Sequence, residues 1–194
     1  MRNKRQLKER IVLICDGETE KWYFTAMNRH SAYSHIDIFP HLVEKASLEK
    51  QKQQVENYAK DYDIVFWVVD LDAIIHDNKI QEFNTYYNAL KSESNIKIVV
   101  VNPCLEYWLL LHFRYTNMPF SNCNDVGQHL KKELPKYEKK QNFYLGSKNI
   151  FELLFSNLDT AIDNSKKTGN YNPFNFKNTC CEFHKIFKHL KSDK

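Results

Sequence analysis

Residues 64–69, Ile-Val-Phe-Trp-Val-Val, are six consecutive apolar side chains that run directly into Asp70-Leu71-Asp72. A run apolar on both alternating faces, rich in β-branched and aromatic types, suits a strand buried on both sides, as in a parallel sheet covered by helices. Asp70 and Asp72 stand two apart, so their side chains share one side if the extended backbone persists. Two carboxylates held that close oppose each other's ionisation unless a cation or hydrogen-bond donors compensate. A hard-cation site is one reading, because Mg²⁺ takes oxygen ligands and one or two carboxylates. A solvated turn is the other, since Asp is common where strands end.

The rest of the chain supplies the context. Residues 11–15 and 96–101 are further apolar runs, and 36–39 is a short one closed by Pro40. Between them lie helical patterns over 18–29, 46–60 and 77–91. Strand and helix therefore alternate four times, which predicts a four-stranded, mostly parallel α/β sheet flanked by helices. After Asn102-Pro103 comes an almost wholly apolar stretch to Phe113. It reads as a central buried helix with Asn102 as cap and Pro103 in its first turn. Beyond Arg114 only helical patterns are legible, over 125–134, 147–165 and 176–191. The expected organisation is an α/β core over 1–115 and a helical extension over 116–194 packed on it.

In such sheets functional groups collect outside the carboxyl ends of the strands. Three strands end in polar residues: Asp16, then Asp70 with Asp72, then Asn102 followed by Glu106. Parallel pairing would bring all of them to one edge. His112 reads as a core histidine beside Trp108.

Charge is unevenly placed. The first ten residues hold five Lys or Arg against one acid, residues 11–113 hold nine bases against fifteen acids, and residues 166–194 hold seven Lys against two acids. An acidic centre between basic ends fits a cation site flanked by polyanion-binding surfaces, and ordinary solubilising lysines give the same pattern. Lys131, Lys132, Lys136, Tyr137, Lys139 and Lys140 mix cations with an aromatic, as nucleic-acid grooves do. Lys21 and Arg114 are single cations near the expected edge. The five cysteines show no CxxC pairing, which favours reduced thiols in a cytoplasmic protein, with Cys180 and Cys181 on a helix. No stretch is long and apolar enough for a membrane span, and the first residues lack a signal-peptide core.

Three segments carry a family resemblance: residues 15–24 (Cys-Asp-Gly-Glu-Thr-Glu-Lys-Trp-Tyr-Phe), 68–72 (Val-Val-Asp-Leu-Asp) and 102–113 (Asn-Pro-Cys-Leu-Glu-Tyr-Trp-Leu-Leu-Leu-His-Phe). With a weaker match at Asn172-Pro173, the chain resembles RloB-like proteins, bacterial proteins linked to restriction-modification and abortive-infection loci and related to TOPRIM domains. The resemblance implies a TOPRIM-like (Rossmann-like) core. It also implies a Mg²⁺- or Mn²⁺-dependent nuclease of DNA or RNA in antiphage defence, alongside a partner ATPase or other defence protein. Carried onto this chain, the catalytic acids are Asp16, Glu20, Asp70, Asp72 and Glu106, and the metal ligands are Asp16, Asp70 and Asp72. The family usually has Glu where this chain has Asp16, so its carboxylate is set back by roughly 1.5 Å, one C–C bond. Glu18 or Glu20 is then the acid to take over. A non-catalytic module that binds nucleic acid or a partner is the alternative, and an oligomer is left open. A phosphohydrolase with an aspartyl nucleophile fits less well, because its Asp-x-Asp follows the first strand. The metal reading requires the separate acids to share one pocket, without a lysine or arginine filling the gap between Asp16 and Asp70 with Asp72.

Overall fold

The computed structural model describes residues 9–34, 36–43 and 46–192. The basic lead-in before Glu9 falls outside them. Strands β1 (Arg10–Cys15), β2 (Asp37–Leu42), β3 (Ile64–Asp70) and β4 (Ile96–Asn102) are all parallel, in the order β2-β1-β3-β4. A fifth strand, β5 (Cys180–Cys181), pairs antiparallel with Val101 and Asn102. The sheet thus has five strands rather than the expected four, and Cys180 and Cys181 are strand, not helix. Two residues carry no periodicity, and only the edge they complete defines them as a strand.

Two apolar layers cover the sheet. Ile11, Leu13, Phe66, Val68 and Val99 face α1 (Glu18–Arg29), α5 (Leu105–Leu111) and the C-terminal helices, whereas Val12, Ile14, Val65, Trp67 and Val100 face α2 (Leu48–Tyr58) and α4 (Ile80–Leu90). That alternation explains why the strands are apolar on both sides. Every residue of α5 is buried. On that face α5 packs against α6 (Cys123–Glu133) and α9 (Leu158–Lys167), α1 against α7 (Gln141–Leu145) and α8 (Ile150–Leu154), and α10 (His184–Ser192) against α9. No helix among the described residues is long and apolar enough to cross a membrane.

Several expected boundaries move. A short helix, α3 (Leu71–His76), begins directly after β3, so the extended backbone does not persist through Asp72. It is separated from α4 by Asn78 at φ 56°, a left-handed conformation that Asn tolerates. Pro40 lies within β2, opposite Leu13, because β2 is an edge strand and can spare an amide. The Asn102–Pro103 peptide is cis, and α5 starts at Leu105 with Cys104 as its cap. Asn102 is the last residue of β4, three positions before the helix starts, and its Nδ2 donates to the carbonyls of Phe176 and Asn178. The helix expected from residue 176 begins only at His184, after β5. Residues 147–165 form α8 and α9 joined by a 3₁₀ turn over Phe155–Asn157.

β5 leaves most of the outer edge of β4 unpaired, and Glu182 covers the next position. Its side chain is fully buried: Oε2 accepts from Val100 N (3.0 Å), and Oε1 accepts from Tyr171 N (3.0 Å) and Lys185 Nζ (2.7 Å). In Glu182→Gln one carboxyl oxygen becomes an NH₂ that confronts a backbone N–H. The expected cost is roughly 1–3 kcal/mol, the penalty for stranding a buried donor, read as a lower urea midpoint.

Candidate functional site

The chain leaves β1 towards β2 on one side and returns to β3 on the other, so the gap beyond the carboxyl ends of β1 and β3 is a topological switch point. A cleft of about 550 Å³ opens there, lined by Asp16, Glu20, Asp70, Asp72, Trp22, Cys123 and Lys139 among others. Four of the five expected acids therefore meet in one cleft.

Each acid is held by its own element. Asp16 follows the last residue of β1, and its Oδ1 accepts from Gln51 Nε2 (2.8 Å). Gln51, on α2, in turn accepts from Trp67 Nε1 in β3 (3.1 Å), so a core tryptophan fixes the orientation of Asp16. Glu20 lies in the first turn of α1, where its carboxylate folds back over Gly17 into the space a Cβ would occupy. Thr19 Oγ1 donates to Glu20 Oε1 (3.0 Å). Asp70 ends β3; its Oδ2 accepts from Leu105 N (3.3 Å), while Oδ1 is shut off from solvent and has no partner. Asp72, in the first turn of α3, accepts from Ala73 N (2.7 Å) and lies 2.7 Å from Cys123 Sγ.

Glu106 stands slightly apart, buried in the first turn of α5. Its Oε1 accepts from Tyr137 OH (2.9 Å) and Lys139 Nζ (3.0 Å), while Oε2 is buried without a partner. Tyr137 and Tyr144 share a hydroxyl contact of 2.9 Å behind it. Lys139 thus brings an ammonium to the acid cluster, bonded to Glu106. Five carboxyls against this one ammonium give the cluster a large excess of acid groups.

The electrostatics follow from that crowding. Burial above all, then the charges of Glu20, Asp72 and Glu106, hold the Asp70 carboxyl well above the usual carboxylate range. Burial likewise raises Asp72, Asp16 and Glu20. Burial opposes the charge on Lys139, but Glu106, Glu20 and Asp70 outweigh it and keep the ammonium charged. Carboxyls that resist ionisation beside a negative neighbour are the pattern of a site that gains from a cation.

The remaining expected residues are elsewhere. Arg114 is committed to the α5–α6 packing through Glu133 (3.1 Å) and His129 (3.1 Å). Lys21, Lys131 and Lys132 are exposed on α1 and α6 and do not line the cleft, and Lys140 pairs with Glu138 (3.0 Å). Tyr137 is buried against Glu106, not displayed as a stacking surface. His112 is a core residue as expected: Nδ1 donates to Trp108 O (3.0 Å), and burial lowers its pKa to about 4. Gln51 was the residue missed. Its signal is a polar side chain on the buried face of α2, in line with Leu48 and Val55. The cysteine expectation is corrected: Cys104 and Cys123 are joined as a disulfide, because the α5 cap meets the first residue of α6, while Cys15, Cys180 and Cys181 are free and buried.

The model of the RloB-like protein family matches residues 11–190. No curated protein and no solved structure matches the chain. The match covers the sheet from Ile11 onward and all the acids of the cleft, and the chain belongs to the RloB-like protein family.

Proposed function

We propose that this chain is a Mg²⁺- or Mn²⁺-dependent nuclease of TOPRIM type that hydrolyses phosphodiester bonds of DNA or RNA in bacterial antiphage defence. The observation that carries the reading is the partnerless, buried Oδ1 of Asp70 in an all-oxygen cluster at the switch point. A buried carboxylate oxygen without a donor is costly, and a hard cation satisfies it. Asp70, Asp72 and Asp16 would hold the ion, whose charge would offset that of the scissile phosphate. Glu20, whose carboxyl burial raises above the usual carboxylate range, is the acid suited to hold and move a proton. Lys139, at the cleft wall, would meet a phosphate oxygen or balance Glu106. Nucleic acid is the proposed substrate, a partner ATPase or other defence protein the proposed associate, and the cytoplasm the proposed compartment.

The test is Mn²⁺ titration by calorimetry together with incubation of the protein with single- and double-stranded DNA and RNA. One bound Mn²⁺ with cation-dependent cleavage supports the reading. Nucleic-acid binding indifferent to chelator, without cleavage, overturns it.

Lys139 favours one second reading, a non-catalytic binding module in which the ammonium, held by Glu106 at the cleft wall, supplies the positive charge the acids need. Lys139→Met separates the two. A nuclease-type site keeps or tightens its Mn²⁺ affinity, whereas a lysine-balanced module gains Mn²⁺ binding only in the variant.

Gln51→Leu tests the positioning of Asp16. It leaves Trp67 Nε1 without its acceptor and frees the Asp16 carboxylate. Mn²⁺ affinity is expected to fall roughly 10- to 100-fold, the usual effect of losing a group that orients a ligand.

A further inference from the structure

The Asp72 carboxylate, Cys104 Sγ and Cys123 Sγ lie within 4.8 Å of one another at the side of the acid cleft. The two cysteines are 19 residues apart in sequence, and their Cα atoms are separated by 5.8 Å. Cys104 caps α5 and Cys123 opens α6, so both positions are fixed by helix packing, not by a flexible loop. Two sulfurs and one carboxylate form a donor set quite unlike the all-oxygen cluster next to it.

We infer that, with the Cys104–Cys123 bond reduced, Asp72, Cys104 and Cys123 form a site for one soft or borderline divalent cation of the Zn²⁺ class. Zn²⁺ is held tetrahedrally by thiolates and carboxylates at about 2.3 and 2.1 Å, which places two sulfur ligands near 3.8 Å from each other. Opening the S–S bond gives the sulfurs that separation with a small side-chain movement. Asp72 and Cys123 also line the open cleft, so an ion has a route in and water can take the fourth position. The other three thiols offer no equivalent, since Cys15, Cys180 and Cys181 are buried within the sheet. Asp72 belongs to both donor sets. Zn²⁺ on the thiolates therefore withdraws a ligand from the proposed Mg²⁺ site, and this consequence alone rests on the nuclease reading.

The experiment uses the full chain reduced with a phosphine. The S–S bond breaks, the phosphine takes the oxygen of one water to become its oxide, and one hydrogen goes to each sulfur. Zn²⁺ is titrated against a chromophoric chelator, and Co²⁺ is added separately to look for thiolate-to-metal charge-transfer absorption. The expected result is one Zn²⁺ bound at least 100-fold or so more tightly by the reduced than by the oxidised chain, with a Co²⁺–thiolate band in the reduced chain alone. C104S and C123S should each weaken Zn²⁺ by more than the 100-fold or so that marks the loss of a ligand's supporting group, and D72N should weaken it by at least about 10-fold. The site is overturned by undiminished Zn²⁺ affinity in any of the three variants, by Co²⁺ binding without a thiolate band, or by a pair that stays oxidised in folded protein under phosphine. The band is read on the unmutated chain, so a variant that misfolds leaves the test intact. Mn²⁺ affinity measured with and without Zn²⁺ reports separately: absence of any Mn²⁺ binding counts against the nuclease reading and leaves the Zn²⁺ result standing.

Discussion

Asp70→Asn is expected to melt several degrees above the unmutated protein in chelator and to lose all response to Mn²⁺. Asp70 sits in the cluster with Oδ1 unpartnered, and its carboxyl is pushed well up, first by burial and then by Glu20, Asp72 and Glu106. The folded chain therefore holds that proton more tightly than the unfolded chain does. Between the ordinary carboxylate pKa and the raised one, stability falls as pH rises, and above the raised value the full cost of ionisation is present. Asn carries no proton and keeps an oxygen for Leu105 N, so it removes that cost. The difference between variant and parent should be near zero below the ordinary carboxylate pKa and grow as pH rises from there towards the raised value. His112, lowered to about 4, destabilises both proteins as pH falls below its ordinary value and cancels in the difference. A gain on the order of 1 kcal/mol, or about 2–4 °C for a chain of this size, is the scale usual for relieving a strained functional site. The measurement is a set of thermal melts from about pH 3 to pH 8 with chelator. With Mn²⁺ at a hundred times its Kd, the parent alone should gain about 2.7 kcal/mol. A stability difference that does not vary with pH would show that Asp70 is already compensated without a cation.

What was legible in the sequence was whatever a strand carries within itself. β1, β3 and β4 announce themselves because burial on both faces leaves them apolar but for Arg10 and Lys97 near their starts, and the acids at their ends follow from parallel pairing alone. Asp16, Asp70 and Asp72 follow that way, Glu20 comes only with the family resemblance, and all four share the cleft. Illegible features depend on distant segments meeting. β5 exists only because Val101 and Asn102 offer an edge. Gln51 owes its importance to Trp67 on one side and Asp16 on the other; its place on the buried face of α2 is legible, but neither partner is. Lys139 was noticed as one cation in a basic run, although it alone among those lysines reaches the acids. The Cys104–Cys123 pairing has no spacing signature, since it depends on α5 and α6 crossing.

Trp108→Ala should be the most damaging single change to stability. Trp108 is fully buried in α5, its Nε1 donates to Tyr23 OH in α1 (2.8 Å), and its ring stacks on Phe187 of α10 at 5.4 Å and 19°. Phe183 lies 5.3 Å away and His112 meets its edge at 4.7 Å. One side chain therefore ties the helix carrying Glu20, the helix carrying Glu106 and the last helix of the chain to the same point. Truncation to Ala removes the burial energy of the indole and leaves a cavity that rigid neighbours fill only in part, which costs about 3–5 kcal/mol. Trp108→Phe keeps most of the ring volume and loses the bond to Tyr23, so a cost of roughly 1–2 kcal/mol is expected. Urea unfolding followed by circular dichroism measures both. Because α10 packs on the same ring as α1, the loss should appear in one transition for the whole chain. Separate transitions, with only one moved by the substitution, would mean that the residues after 115 unfold independently of the sheet, and that Trp108 joins them to it without coupling their stabilities.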